Sequence, residues 1–325
     1  MSSGMNRRGF LAAGAAGVAA PLALGGVASE PVKAAAPLPL KWQNGESPWP
    51  ICLDTATIRP ASLRDKIRIA AEAGYDAIEP WDGELRDFEE NGGNLEDLGK
   101  EITDLGLFVP SVIGLWSSIQ PTREEFEANL EATRDRLRMI SAIGSQHAQV
   151  IPSREEMDAK EMADQFHDLI EIGINDYDVI PALVFVSFLP SSRRLGQAAA
   201  IAIDSGHPKA KIIPDVFHMY IADSPFNSMR RLQPDMIAIF QYNDAPADPP
   251  KEEAQDKDRV YPGDGFLPVT DFLKDLLYIG YEDCVSLELY NPTYWEQDHL
   301  EVAKTGLEKT MNTVRQAVEE YGNGD

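Results

Sequence analysis

The sequence predicts a parallel α/β protein closed into a (β/α)8 TIM barrel, and three observations carry that expectation. Eight short apolar runs recur along the chain with helical patterns between most of them. A unit of amphipathic helix, glycine and apolar strand repeats. Several runs end abruptly in carboxylate, amide or imidazole side chains, and the C-terminal ends of strands are where an α/β barrel keeps its active site.

The runs lie near residues 50–54, 76–80, 108–113, 147–151, 182–188, 211–215, 236–242 and 284–289. The repeating unit appears around Gly74, Gly106, Gly144 and Gly280, each glycine following a helical pattern and preceding a strand. A glycine there is the left-handed cap that turns the chain back towards the sheet. Pro121-Thr122-Arg-Glu-Glu125 opens a helix with a capping box, and Phe126, Leu130, Leu137 and Ile140 form its apolar face. Residues 243–262, rich in Pro, Asp and Ala, read as a long loop after the seventh strand. An open doubly wound sheet is the alternative architecture. No G-x-G-x-x-G follows a strand and no G-x-x-x-x-G-K-[ST] occurs, so a nucleotide site has no support.

The chain begins with an address. Asn6-Arg7-Arg8-Gly9-Phe10-Leu11 is a twin-arginine signature, and an Ala/Gly-rich apolar stretch runs on to about Ala28. A membrane anchor is the competing reading, which Pro21 and the small-residue sites near Ser29 and Ala36 disfavour. Residues 1–36 are therefore expected to be a signal read by the Tat export machinery, with 37–325 as the barrel, delivered to the periplasm or secreted. Removing residues 1–36, which carry Arg7, Arg8 and Lys33 against Glu30, changes the formal charge from −24 to −26. So acidic a surface repels nucleic acid and anionic membranes. Many of its charges, as in 84–90 and 251–253, read as solvated helix faces. Cys52 and Cys284, the only thiols, allow no zinc spacing. They fall on the first and last strands, where two free buried thiols fit better than a bridge between neighbouring strands.

Chemistry concentrates in three strand ends: Asp215-Val-Phe-His218, Gln241-Tyr-Asn-Asp244 and Ser286-Leu-Glu288. With Asp258-Arg259-x-x-Pro262-Gly263-x-Gly265 in the following loop, their order resembles the sugar phosphate isomerase/epimerase family of xylose isomerase-like barrels across residues 45–315. That resemblance implies a divalent ion held by one side chain from each of strands five to eight. Carried over residue by residue, Asp215, Gln241 and Glu288 are the ligands from the last three, a hard donor set suited to Mg²⁺ or Mn²⁺. The ion would polarise the carbonyl of a sugar or keto-sugar while Glu288, also a ligand, removes the neighbouring C–H proton. The resemblance casts His218 and Arg259 as groups that orient substrate beside developing oxyanion charge, with His218 sharing the catalytic work. Arg259 reads equally as a loop ion pair to Asp256, Asp258 or Asp264, and Asp244 as a supporting residue or a loop cap.

Strand five departs from the family. Val184 stands where its glutamate is usual, and residues 181–190 contain no acid. Three readings follow: a three-ligand site helped by Glu79, a one-base reaction such as elimination from a 3-keto glycoside, or a metal-free carbohydrate-binding relative without catalysis. Glu79 and Asp54 end strands two and one, where each is a site residue or a partner for a nearby base. Trp81, Trp116 and Trp295 follow strand ends, and Trp116 with Glu79 is a candidate substrate contact, since aromatic faces suit sugar C–H surfaces. His147 is expected to pack within strand four. The sugar's identity and whether the chain forms a homo-oligomer stay open.

Overall fold

Short apolar runs with β-branched residues and no room for polar faces become buried strands when helices cover the sheet. The computed structural model describes residues 36–323, and in it eight such runs form β1 (Ile51–Asp54), β2 (Ala77–Glu79), β3 (Ser111–Leu115), β4 (His147–Val150), β5 (Ile180–Val184), β6 (Lys211–Ile213), β7 (Phe240–Tyr242) and β8 (Val285–Leu287). All pairings are parallel, in two ladders ordered β2-β1-β8-β7 and β3-β4-β5-β6. Bridges Ala77–Phe108 and Trp81–Ile113 join β2 to the β3 segment, and Ile212–Ile237 and Asp215–Gln241 join the β6 and β7 segments. The ring therefore closes, and the open doubly wound alternative is excluded. The expected export signal lies outside the described residues except for Ala36.

The four glycines of the repeating unit have φ between 77° and 94°, the left-handed caps their positions require. The helix expected after Thr122 is two helices, Arg123–Ala128 and Leu130–Ala142, with Asn129 between them. Glu84 corrects the expectation of a solvated 84–90 face. It opens helix Asp82–Glu90 against helix Leu63–Ala73, pairs with the buried Lys66, and accepts from Thr55 Oγ1 at 2.6 Å and Trp81 N at 3.0 Å.

Because side chains alternate along a strand, every second residue points into the barrel. One apolar cluster gathers Cys52, Ala77, Ile113, Ile151, Ala182, Val184, Ile213, Ile239 and Cys284 inside the ring. The intervening residues, among them Ile51, Leu53, Ile78, Val112, Leu183 and Leu287, pack outwards beneath the helices. Cys52 lies on β1 and Cys284 immediately precedes β8; both are free and buried, and burial pushes both thiols up. His147 is buried on β4 with Nδ1 2.9 Å from Pro110 O, and burial pushes it down to about 4.

Candidate active site

The alternation that fills the barrel with apolar side chains continues to the C-terminal strand ends and there turns polar. Two residues beyond Cys52 stands Asp54, beyond Ala77 Glu79, beyond Ile213 Asp215, beyond Ile239 Gln241, and beyond Ser286 Glu288, all buried. The structure brings the expected Asp215, His218, Gln241, Arg259, Glu288 and Glu79 to one mouth.

Asp215 caps helix Val216–Ile221, its Oδ1 accepting from His218 N at 2.7 Å, and its Oδ2 accepts from Asn243 Nδ2 at 3.2 Å and Arg259 Nη1 at 2.9 Å. The same Nη1 donates to Glu288 Oε2 at 2.6 Å, and Nη2 donates to Asp256 Oδ1 at 2.9 Å. Arg259 is thus a buried fork among three carboxylates, with its guanidinium lying over Phe217 and Tyr290. The expected loop ion pair of Arg259 to Asp256 is present, and Arg259 also reaches Asp215 and Glu288 at the strand ends.

Its carrier loop is fixed by Asp244, which serves the loop and not the reacting centre. Its carboxylate accepts from the backbone N–H groups of Ala245, Gly263, Gly265 and Leu267 at 2.8–3.1 Å. Gly265 approaches so closely that a Cβ would sit 2.2 Å from Ala245 O, so glycine is needed there. Asp244 and Val260 form an antiparallel bridge, which holds Arg259 one residue away.

Burial tends to raise Asp215, but the Arg259 guanidinium, helped by the backbone N–H of His218, holds it below the ordinary range, so it stays ionised. Glu288 is raised by burial, with Arg259 opposing and Asp54 and Asp215 adding to the rise; Tyr290 Oη donates to its Oε1 at 2.7 Å. Glu79 is pushed up to about 8, by burial first and then by Glu288. It accepts from Gln149 Nε2 at 2.6 Å and Ser286 Oγ at 2.8 Å, so hydrogen-bonding amide and hydroxyl groups, not a base, are its partners. Asp54 is raised by burial and by Glu79, and its Oδ2 has no partner among the described residues. Burial lowers His218, so its ring is neutral. His218 Nε2 lies 3.4 Å from Arg259 Nη2, and its Nδ1 lies 3.1 Å from Ser187 Oγ and 3.5 Å from Ser187 N.

Trp81 and Trp116 stack with centroids 6.3 Å apart, and Trp81 meets Tyr290 edge-on at 5.9 Å, forming an aromatic wall beside Glu288. Trp295 donates to Ala56 O from outside this wall. Beside His218 a cleft of about 400 Å³ is lined by Phe188, Phe217, Ile221 and Asp256. Tyr290, Gln149, Asn243 and Ser187 are site residues that motif matching missed. Strand parity was the available signal for Gln149, Asn243 and Tyr290, which continue the inward rows of β4, β7 and β8.

The fold and this mouth define a class: a parallel barrel with acid–base groups at its C-terminal face. The chain belongs to the xylose isomerase-like TIM barrel family, whose profile matches residues 67–313. It is 31% identical over 156 residues to an inosose isomerase of Bacillus velezensis, covering 48% of this chain and 55% of that protein. It is 30% identical over 118 residues to an inosose isomerase of Bacillus licheniformis, covering 36% and 42%. The chain thus spans about half the length of the curated relatives it matches. In fold it is similar to a crystal structure of IOLI protein with a binding zinc atom (TM-score 0.76, 22% identity, 82% of this chain and 99% of that one). It is also similar to an L-ribulose 3-epimerase (TM-score 0.68, 17% identity, 85% and 98%).

The donor set does not fit the divalent ion expected from the resemblance. Val184 lies in the apolar interior, Gln241 offers only an amide whose Nε2 is unpartnered, and Arg259 already stands between Asp215 and Glu288. Among the described residues no group of three or more His, Cys, Asp or Glu side chains is arranged to hold a metal.

Proposed function

We propose that the protein is a sugar isomerase-type enzyme that moves a proton beside the carbonyl of a ketose or keto-cyclitol, with Glu288 as its single base. The observation that carries this reading is the Glu288 carboxylate, buried at the barrel mouth between Tyr290 Oη and Arg259 and raised above the usual carboxylate range. A base is most effective when its proton affinity approaches the working pH. Family membership and the inosose isomerase relatives support the substrate class.

Glu288 takes the C–H proton next to the carbonyl, and the electron pair moves onto the carbonyl oxygen to give an enediolate. Negative charge then grows beside the Arg259 guanidinium, whose Nε–H has no partner among the described residues, with the neutral His218 ring alongside. Protonated Glu288 returns the proton to the former carbonyl carbon. The neighbouring hydroxyl loses its proton, becoming the new carbonyl, and the old carbonyl oxygen gains one. Trp81 and Trp116 offer the C–H face of the substrate an apolar surface. The partnerless Asp54 Oδ2 and Gln241 Nε2 suit an acceptor and a donor for its hydroxyls. Val184 leaves no acid on strand five to reprotonate from the opposite face, so one-face isomerisation fits better than inversion at one carbon.

The same single base favours a second reading, elimination from a 3-keto glycoside. Incubating the protein with ketoses, inososes and 3-keto glycosides in D₂O separates the two. Isomerisation gives a positional isomer carrying deuterium at the former carbonyl carbon, and elimination releases the aglycone. An epimer formed by inversion, or turnover unchanged in Glu288→Gln, overturns the proposal. The reading also includes export, on the strength of Arg7-Arg8 and the apolar stretch after them; periplasmic activity that persists in Arg7→Lys/Arg8→Lys would overturn that part.

A further inference from the structure

We infer that Arg259 is itself the cation of this active site, standing in place of a divalent ion, so that the chemistry proposed above is metal-independent. The inference rests on that reading for the reaction but on its own geometry for the cation. Two carboxylates that point at each other across a barrel mouth need a positive charge between them, because each costs several kcal/mol to bury unpaired. Here one nitrogen supplies it, Nη1 at 2.9 Å from Asp215 Oδ2 and 2.6 Å from Glu288 Oε2.

The guanidinium is not a passing visitor from a loose loop. Asp256 holds Nη2 at 2.9 Å, the backbone carbonyl of Arg259 accepts from Asn291 Nδ2 at 3.0 Å, and the next residue is bridged to Asp244. Phe217 and Tyr290 lie 5.1 and 4.9 Å from its central carbon, two aromatic surfaces that favour a planar cation. Withdrawing this side chain to admit an ion would break three charge-assisted hydrogen bonds and leave a buried arginine unpaired.

The rest of the ring has changed in the same sense. A divalent ion gathers hard donors from several directions. β5 turns Val184 into an apolar cluster with Ile151 and Val186, and β7 contributes the amide of Gln241. What is left on β6 and β8 is a pair of carboxylates, and one guanidinium nitrogen reaches both while the other is held by Asp256. A guanidinium can hold an enediolate oxygen by directed hydrogen bonds, which serves the same electrostatic purpose as a Lewis acid.

The test reads metal directly and needs no turnover, so it decides this inference even where the isomerase reading fails. Protein grown with supplemented zinc and manganese is assayed for bound metal by mass spectrometry and melted with EDTA or with excess Zn²⁺ or Mn²⁺. Well under one ion per chain, and a melting temperature that neither EDTA nor added metal shifts, is the expected result. About one retained ion per chain, with a melting temperature that EDTA lowers by several degrees, overturns it. A second measurement compares Val184→Glu with Val184→Glu/Arg259→Ala. Removing the guanidinium is expected to raise Mn²⁺ or Zn²⁺ affinity at least about tenfold over Val184→Glu alone, since the cation's place is then free. Equal affinity in the two variants overturns the inference, and if the double variant does not fold the wild-type metal content still decides.

Discussion

Around the barrel mouth the strands divide into two arcs of different chemistry. β6, β7, β8, β1 and β2, neighbours in that order, end in Asp215, Gln241, Glu288, Asp54 and Glu79. β3, β4 and β5 end in Ile113, Ile151 and Val184, followed by Val186 and Leu189. Both arcs follow the same inward alternation, so the backbone does not distinguish them; side-chain choice does. The difference teaches why the carboxylates behave as they do. Of the four acids on this arc Arg259 pairs with two, Asp215 and Glu288, and it keeps Asp215 ionised while burial raises Glu288, Asp54 and Glu79.

The largest expected effect comes from removing the proposed base on the polar arc. Glu288→Gln keeps the hydrogen-bonding shape but cannot accept a carbon-bound proton, and kcat should fall by about 10³-fold or more with little change in KM. A comparable loss from Val186→Ala, measured on the same substrate, would break the division between the arcs. Arg259→Met comes next. It leaves Asp215 and Glu288 facing each other without a cation, and chemical denaturation should show a loss of roughly 3–5 kcal/mol. Loss below about 1 kcal/mol would mean that the carboxylates find protons or solvent more easily than their burial allows.

Placing a carboxylate on the apolar arc inverts the comparison. Val184→Glu buries an acid among Ile151, Ala182 and Ile213 with no cation from its own arc. Its pKa should rise and the variant should lose stability as pH increases through neutrality, by roughly 2–4 kcal/mol relative to wild type. A variant as stable at pH 8 as at pH 5 would show that Arg259 reaches across the mouth to serve both arcs.

The two arcs also differed in how far they could be read beforehand. Apolar runs, helix patterns and glycine caps were enough for the closed eight-stranded ring, because each is a local signal repeated along the chain. Asp215, Gln241 and Glu288 were legible for the same reason: each interrupts an apolar run at a strand end. Val184 was legible as a departure from the family, but its surroundings were not. Arg259 was legible as a substrate-orienting group or a loop ion pair, but not its meeting with Asp215 and Glu288, which joins residues 44 and 29 positions apart. Such a contact depends on ring closure and on the Asp244 clamp, which are long-range facts. Tyr290 was hidden more simply: a hydroxyl two residues past Glu288 looks like packing until the strand's alternation is followed beyond its last paired residue.

Glu79 gives the smallest effect and the most diagnostic one, because it sits where the two arcs meet. β4 reaches it from the apolar side through Gln149 and β8 from the polar side through Ser286. Its proton affinity is pushed up to about 8, by burial and then by Glu288. A carboxyl with a raised folded-state pKa binds more protons folded than unfolded, so it favours the fold at low pH. That contribution is present below the unfolded value near 4.5 and is lost as pH rises through about 8. Wild-type stability should therefore decline across this window, and Glu79→Gln, which mimics the protonated acid, should flatten the decline by on the order of 2 kcal/mol after allowance for coupling to Glu288. Urea titrations at pH 5 and pH 8.5 measure it. An unchanged slope would mean that Glu79 is already ionised at neutral pH, and that the hydrocarbon arc exerts less influence at its boundary with the polar arc than it does on Glu288.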